Sequence, residues 1–205
     1  MRFSNVAKLT FLGNPALRKV CQPVDFSHHR AQVKTLATQL TNTMKTHCGV
    51  GIAAPQINTL LRVFIMSNEG QTEYKTIVNP VLESVITTST NSVGGTSGTS
   101  AAVKGKVVSE MENEKEWGWE GCLSIPGFLG YVPRFRNIKV SYLDVNGIQK
   151  SETLQGFEAR VFQHELDHLN GIVYIDRLVS TQHLIVESEF SKHAKHIEKS
   201  SSTIL

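Results

Sequence analysis

Cysteine is scarce in this chain, apolar runs are short, and no block of one charge stands out. Each absence removes a class of protein. Three cysteines in 205 residues (Cys21, Cys48 and Cys122) are too few and too widely spaced for a disulfide framework. That points to a reducing compartment. No apolar stretch approaches the ~20 residues that a membrane-spanning helix needs. The 21 Lys and Arg against 18 acids give a net charge of +3. They are nowhere gathered into the basic run of a dedicated phosphate or nucleic-acid binder. The start, Met1-Arg2-Phe3-Ser4-Asn5, lacks the apolar segment of a secretory signal. The stretch to Val24 is basic and free of acids, the composition of the end of an organellar transit peptide. An ordinary first strand, or a start left by removal of a targeting segment, is the better reading. What remains, 40% hydrophobic and 19% charged residues, fits one soluble domain with a sizeable core.

One segment departs from a compact domain. Thr87 to Ser100 is Ser, Thr, Gly and Asn at every position but Val93, and the charged run Glu110 to Glu116 follows. Such a stretch has too little apolar surface to order itself. We read about 83–116 as an insertion inside one domain, with a strand near Lys106 to Val108, because neither flank looks complete alone. Upstream, Val33, Leu36, Ala37, Leu40 and Met44 form one face of a helix from Ser27 to Cys48, capped by Ser27 and stopped by Gly49. Leu61 to Met66 and Lys75 to Val78 read as strands, the second ended by Asn79-Pro80. Downstream, Ile138 to Leu143 alternates as a strand, Asn146-Gly147 turns it, and Gln149 to Leu154 returns antiparallel. A helix then runs from about Gly156 to Asn170, stopped by Gly171, and a last helix covers about Ser180 to Ile197.

The chemistry starts on the helix that ends at Gly171. His164 and His168 in Gln163-His164-Glu165-Leu166-Asp167-His168 are four apart, which puts both imidazoles on one helical face, within reach of one metal ion. Glu165, beside the first of them, can reach a water on that ion and serve as general base and then acid. Chance yields the pattern roughly 0.03 times in a chain with this many His and acids. The competing reading is a pair of core histidines. His28/His29 and His193/His196 lie in polar surroundings and read as solvated.

A tetrahedral catalytic site needs a third protein ligand and an open position. One metalloprotease class supplies a third His after a Gly; Gly171 matches, but Tyr174 stands at the ligand position, so that class is out. Another takes a Glu from a following helix, and Glu187 or Glu189 keeps it open. The third option is a cysteine. Cys122, in Glu120-Gly121-Cys122-Leu123-Ser124-Ile125-Pro126, is the best one, because Gly121 and Pro126 demand a tight backbone course and a thiolate suits a borderline-soft metal. Cys21 and Cys48 read as small buried residues.

Three segments together resemble the peptide deformylases, which remove the formyl group from the N-terminal methionine of new proteins. They are Gly49-Val50-Gly51-Ile52-Ala53-Ala54-Pro55-Gln56, Glu120-Gly121-Cys122-Leu123-Ser124, and Gln163-His164-Glu165-Leu166-Asp167-His168-Leu169-Asn170-Gly171. The resemblance runs from about Lys8 to about Leu178, the insertion excepted. It implies an α+β single domain, mainly antiparallel strands packed around a central metal-binding helix. It implies Cys122, His164 and His168 as metal ligands and Glu165 as the acid/base. Gln56 and the backbone N–H of Leu123 would hold the oxyanion. Gly49, Val50 and Gly51 would run beside the peptide, and Val50, Phe157 and Val161 would line the methionine pocket, with Glu120 also at the substrate side. Asp167 would orient a ligand or tie the helix down, and Arg134 would pair with Glu120.

The implied metal is one divalent ion, Fe²⁺ in the cell, with Zn²⁺, Co²⁺ or Ni²⁺ in purified protein. The implied partners are the N-formyl-Met peptides of nascent chains, with transient proximity to the ribosome, no direct nucleic acid and no membrane. Many bacterial members carry an arginine where this chain has Leu129 in Gly127-Phe128-Leu129-Gly130-Tyr131. That run, with Trp119, looks more like the eukaryotic organellar branch. It makes a mitochondrion or other organelle the expected location, or the cytoplasm if the source is bacterial.

Overall fold

The computed structural model describes residues 5–86 and 114–201. A five-stranded antiparallel sheet forms its centre. It consists of β1 (Gly51–Ala53), β2 (Val63–Ser67), β3 (Tyr74–Val85), β6 (Asn137–Leu143) and β7 (Gln149–Gln155), in the order β1-β2-β3-β6-β7. Strand β2 is buried at every position, so its apolar run serves both faces at once. Val63 and Ile65 pack with Val33, Leu36, Leu40 and Met44 of helix α1 (Phe26–Thr46). Phe64 and Met66 pack on the other face with Val161, Phe162 and Leu169 of helix α2 (Gly156–Leu169). Phe64 and Phe162 meet edge to face at 5.3 Å. Helix α2 thus lies buried between this sheet and a second one.

The second sheet, β4 (Lys115–Cys122), β5 (Ile125–Phe135) and β8 (Leu184–Val186) in the order β4-β5-β8, has no counterpart in the sequence reading. Its long β4–β5 hairpin is rich in glycine, tryptophan and charge, so it shows no clean alternation. Trp117 stacks on Tyr131 across the strands. The last helix expected from Ser180 is corrected likewise. Leu184–Val186 pairs with Phe128–Gly130, and helix α3 starts only at Glu187 and runs to Ser201. The β-branched pair Ile185-Val186 favours the extended conformation that this pairing gives it.

Other local corrections have physical causes. Asp25, not Ser27, caps α1, its carboxylate accepting from the Ser27 N–H. The stop comes one residue early. Cys48 takes the left-handed conformation (φ 54°), and the Gly49 N–H bonds the Met44 carbonyl. Asn79-Pro80 does not end β3 but bulges it. Asn79 adopts φ 50°, and its amide bonds both the N–H and the carbonyl of Val24, which compensates the ladder bond that Pro80 cannot make. The expected first strand is an extended segment with single backbone bonds, Thr10 N–H to Gln56 and Leu12 N–H to Ser124. The insertion is narrower than 83–116 at both ends, because β3 runs to Val85 and β4 starts at Lys115. The expected strand at Lys106 to Val108 lies outside the described residues. The β6–β7 hairpin and α2 match the expected elements within a residue or two.

Candidate metal centre

The two histidines of α2 face the point where β4 turns into β5. A bulge between Glu120 and Cys122 re-aims the end of β4, and Leu123 and Ser124 form the two-residue turn. The donor atoms of Cys122, His164 and His168 all lie within 4.8 Å of one another, with Cys122 Sγ 3.3 Å from His168 Nε2. The sulfur also accepts from the Ser124 N–H (3.4 Å) and from Gln56 Nε2 (3.5 Å). Gln56 cannot turn away, because its Oε1 accepts from the Ala53 N–H at 2.7 Å. Its amide N–H₂ therefore points at the cysteine and at Ser124 Oγ.

The set suits a divalent ion. Thiolate and imidazole are borderline-soft donors, and three protein ligands leave a fourth position open. His164 Nδ1 donates to Glu120 Oε2 at 2.9 Å, which leaves Nε2 for the donor cluster. Tyr174 stacks over the His164 ring at 6.1 Å and donates its hydroxyl to the Phe128 carbonyl. A Cβ at Gly130 would meet the Tyr174 ring at 2.6 Å, so glycine there makes room for the stack. Burial disfavours charge on both imidazoles. At His164, hydrogen bonds to Cys122 and Glu120 outweigh it and raise the pKa well above the ordinary value. At His168, burial and the neighbouring His164 hold it well below, so this ring is neutral and ready to ligate.

Behind the histidine, Glu120 is 6% exposed and has both oxygens engaged. Oε1 accepts from Arg134 Nε and Arg160 Nη1, both at 2.9 Å, and Oε2 from Arg134 Nη2 at 3.0 Å besides His164. Burial raises its carboxyl, but Arg134 and His164 overcome that and hold it far below the usual carboxylate range. Glu120, expected beside the substrate, thus holds His164 and two arginines while also lining the cleft over the donor group. Arg134 continues to Asp167 at 2.5 Å, and Asp167 bonds Arg177. This ties β5 to the last turn of α2.

Glu165 is 3% exposed, and its Oε2 has no hydrogen-bond partner among the described residues. Burial, reinforced by Glu120 and opposed by His164 and Arg134, pushes its carboxyl up to about 7. A group with that pKa can accept a proton and return it near neutral pH.

A cleft of about 700 Å³ opens over these groups. It is lined by Gly49, Val50 and Gly51, by Phe157 and Val161 of α2, and by Gly121 to Leu123 and Ile125 to Leu129 of the β4–β5 hairpin. Strand β1 is an edge strand, and among the described residues one side of Gly51–Ala53 carries no ladder partner. Glu187 stands on the rim at the first residue of α3, outside the donor group, and Glu189 pairs with Lys192 and His193 on the surface. The cysteine option is therefore the one the fold assembles. Cys21 is buried, whereas Cys48, expected buried, is exposed at the cleft. The sequence reading missed Arg160 and Ser124. The only signal for Arg160 was its position one helical turn before His164.

Residues 6–183 match the family model for polypeptide deformylase. Peptide deformylase 2 of Nostoc sp. is 37% identical over 181 residues, covering 88% of this chain and 90% of its own. The crystal structure of peptide deformylase from Thermotoga maritima superposes with a TM-score of 0.67 at 31% identity, over 85% of this chain and 99% of that one. A Met-Ala-Ser-bound peptide deformylase of Acinetobacter baumannii superposes with a TM-score of 0.65 at 29% identity, over 84% of this chain and 98% of that one.

Proposed function

This chain belongs to the polypeptide deformylase family, and on that premise we propose that it hydrolyses the N-formyl group from the N-terminal methionine of nascent polypeptides, releasing formate. The observation that carries the reading is the convergence of Cys122, His164 and His168 on one point, with Glu165 and Gln56 beside it. Cys122, His164 and His168 would hold one divalent ion. The family implies Fe²⁺ in the cell and allows Zn²⁺, Co²⁺ or Ni²⁺ in purified protein. Bound there, such an ion supplies Lewis acidity, which polarises a carbonyl and lowers the pKa of water from 15.7 to about 7.

The chain's own residues supply the rest. Glu165 accepts a proton from the attacking water, and its raised pKa keeps that proton available. Gln56 Nε2–H and the Leu123 N–H stabilise the negative charge that develops on the formyl oxygen. Glu165 then protonates the departing amine. The backbone at Gly49, Val50 and Gly51 runs beside the peptide, and Val50, Phe157 and Val161 take the methionine side chain. Glu120 acts through His164 by holding its tautomer. The Met-Ala-Ser bound to the Acinetobacter relative supports a peptide as occupant of the cleft. The Gly127 to Tyr131 run and Trp119 support an organellar member, and a substrate carried on nascent chains supports work close to the ribosome.

The test is an assay on a formyl-Met peptide with protein purified under reducing, oxygen-free conditions. Turnover is expected, and Glu165→Gln should lose roughly 10²–10⁴-fold in kcat while keeping its metal. Cys122→Ala should lose the metal. Full metal content and rate in Cys122→Ala, with loss of metal in Glu187→Ala, would instead make the protein a Glu-ligated hydrolase.

A further inference from the structure

The metal donors come from two separate elements: Cys122 ends β4, whereas His164 and His168 sit on α2. Their spacing depends on whatever holds the end of β4 against the helix. Arg160 spans that gap from the helix side. Its Nη1 donates to the carbonyls of Gly118 (3.4 Å) and Val132 (3.1 Å) and to Glu120 Oε1 (2.9 Å). Its Nη2 donates to the Glu116 carbonyl at 2.6 Å. One fork thus grips the backbone of β4 at two residues, the backbone of β5 at one, and the carboxylate that aims His164.

The fit is specific to arginine and to glycine opposite it. A Cβ at Gly118 would lie 2.7 Å from Arg160 Cζ and 2.8 Å from Nη2. A lysine would bring the charge but not the planar set of donors. The Arg160 side chain is 17% exposed; its three Nη1 bonds are part-buried, and the Nη2 bond to the Glu116 carbonyl lies at the surface. Arg134, the other cation on Glu120, reaches Asp167 on α2, while Arg160 grips the backbone of β4 itself.

We propose that Arg160 is a positioning residue that sets the spacing between Cys122 and the two histidines, and through it the affinity of the site for a divalent cation; the proposal rests on reading those three residues as a metal centre. The experiment is a Co²⁺ titration of metal-free protein, followed by the thiolate-to-cobalt absorption band and repeated against a competing chelator. Arg160→Met keeps the length of the stem and removes every donor. It should weaken Co²⁺ binding roughly tenfold to a hundredfold, at a temperature where circular dichroism shows the metal-free variant folded. Gly118→Ala keeps every polar atom but displaces the guanidinium, and it should weaken binding in the same way. Arg160→Lys should fall between. If Arg160→Met does not fold without metal, Gly118→Ala decides. Co²⁺ affinity equal to that of the unchanged protein in these variants overturns the proposal. Failure of the underlying metal reading looks different, since the unchanged protein would then give no thiolate band.

Discussion

A methyl group on Gly51 would sit 2.3 Å from Glu165 Oε1 and 3.0 Å from its Cγ. The clash reaches past the carboxylate tip to Cδ and Cγ of a buried side chain, so Glu165 can yield only by leaving its place. Gly51→Ala should therefore keep its metal and its fold yet lose on the order of 10²-fold in kcat, the cost of a displacement near 1 Å at a reacting group. An unchanged kcat would mean that Glu165 is not held where the geometry has it. The thiols offer a second residue-scale test. Burial, partly offset by Arg62, pushes Cys21 up to about 11, and so it should stay unalkylated at pH 8. Cys48 is exposed and should react at once, with or without metal. Cys122 should react in metal-free protein and be protected by Zn²⁺. Mass spectrometry of the alkylated protein reads all three, and equal labelling of Cys122 in both states would count against it as a ligand.

Legibility from sequence differed by element. Helix α2 was readable because its signal is local: two histidines four apart, an apolar face, and Gly171 past the end. The β6–β7 hairpin was readable for the same reason, with Asp144 accepting from the Asn146 and Ile148 N–H groups and Gly147 at φ 82°. The second sheet was not, because what makes Lys115–Cys122 a strand is its partner Ile125–Phe135 and the Arg160 fork across both. The site divides in the same way. Ligand types were visible in motifs, but the role of Glu120 depends on Arg134 arriving from β5 and on Arg160 and His164 arriving from α2.

The cap of α1 gives an element-scale prediction with a pH sign. Hydrogen bonds from the Ser27 side chain and backbone, then from His28, hold Asp25 well below the ordinary carboxylate range. A depressed folded-state pKa means that the stabilisation is present above the unfolded pKa and is lost as pH falls through the folded one. Asp25→Ala should thus lower the melting temperature at pH 7, and the deficit should shrink in acid. Asp25→Asn, which can still accept the Ser27 N–H, should keep the melting temperature near neutrality and flatten its acid dependence. An Asp25→Ala deficit that persists undiminished in acid would show that the cap does not act through its charge.

At the scale of the molecule, the metal centre joins two bodies that are already packed. The five-stranded sheet buries α1 on one face and α2 on the other without help from the site, and Arg134 and Arg160 hold the second sheet to α2. Removing the ion should therefore leave a folded protein of lower stability, unlike a small zinc domain that unfolds on chelation. An ion that binds only the folded state stabilises it by about 4.1 kcal/mol when free metal is 1,000 times Kd. A chain of this size gains roughly 2–4 °C in melting temperature per kcal/mol, so saturating Zn²⁺ should raise the midpoint by roughly 8–16 °C over the chelated protein. Cys122→Ala and His168→Ala should each remove most of that increment, while Glu165→Gln should keep it, since Glu165 faces the site without belonging to the donor group. Calorimetry with and without chelator separates these outcomes. A metal-dependent increment that survives in Cys122→Ala would place the stabilising ion elsewhere in the fold.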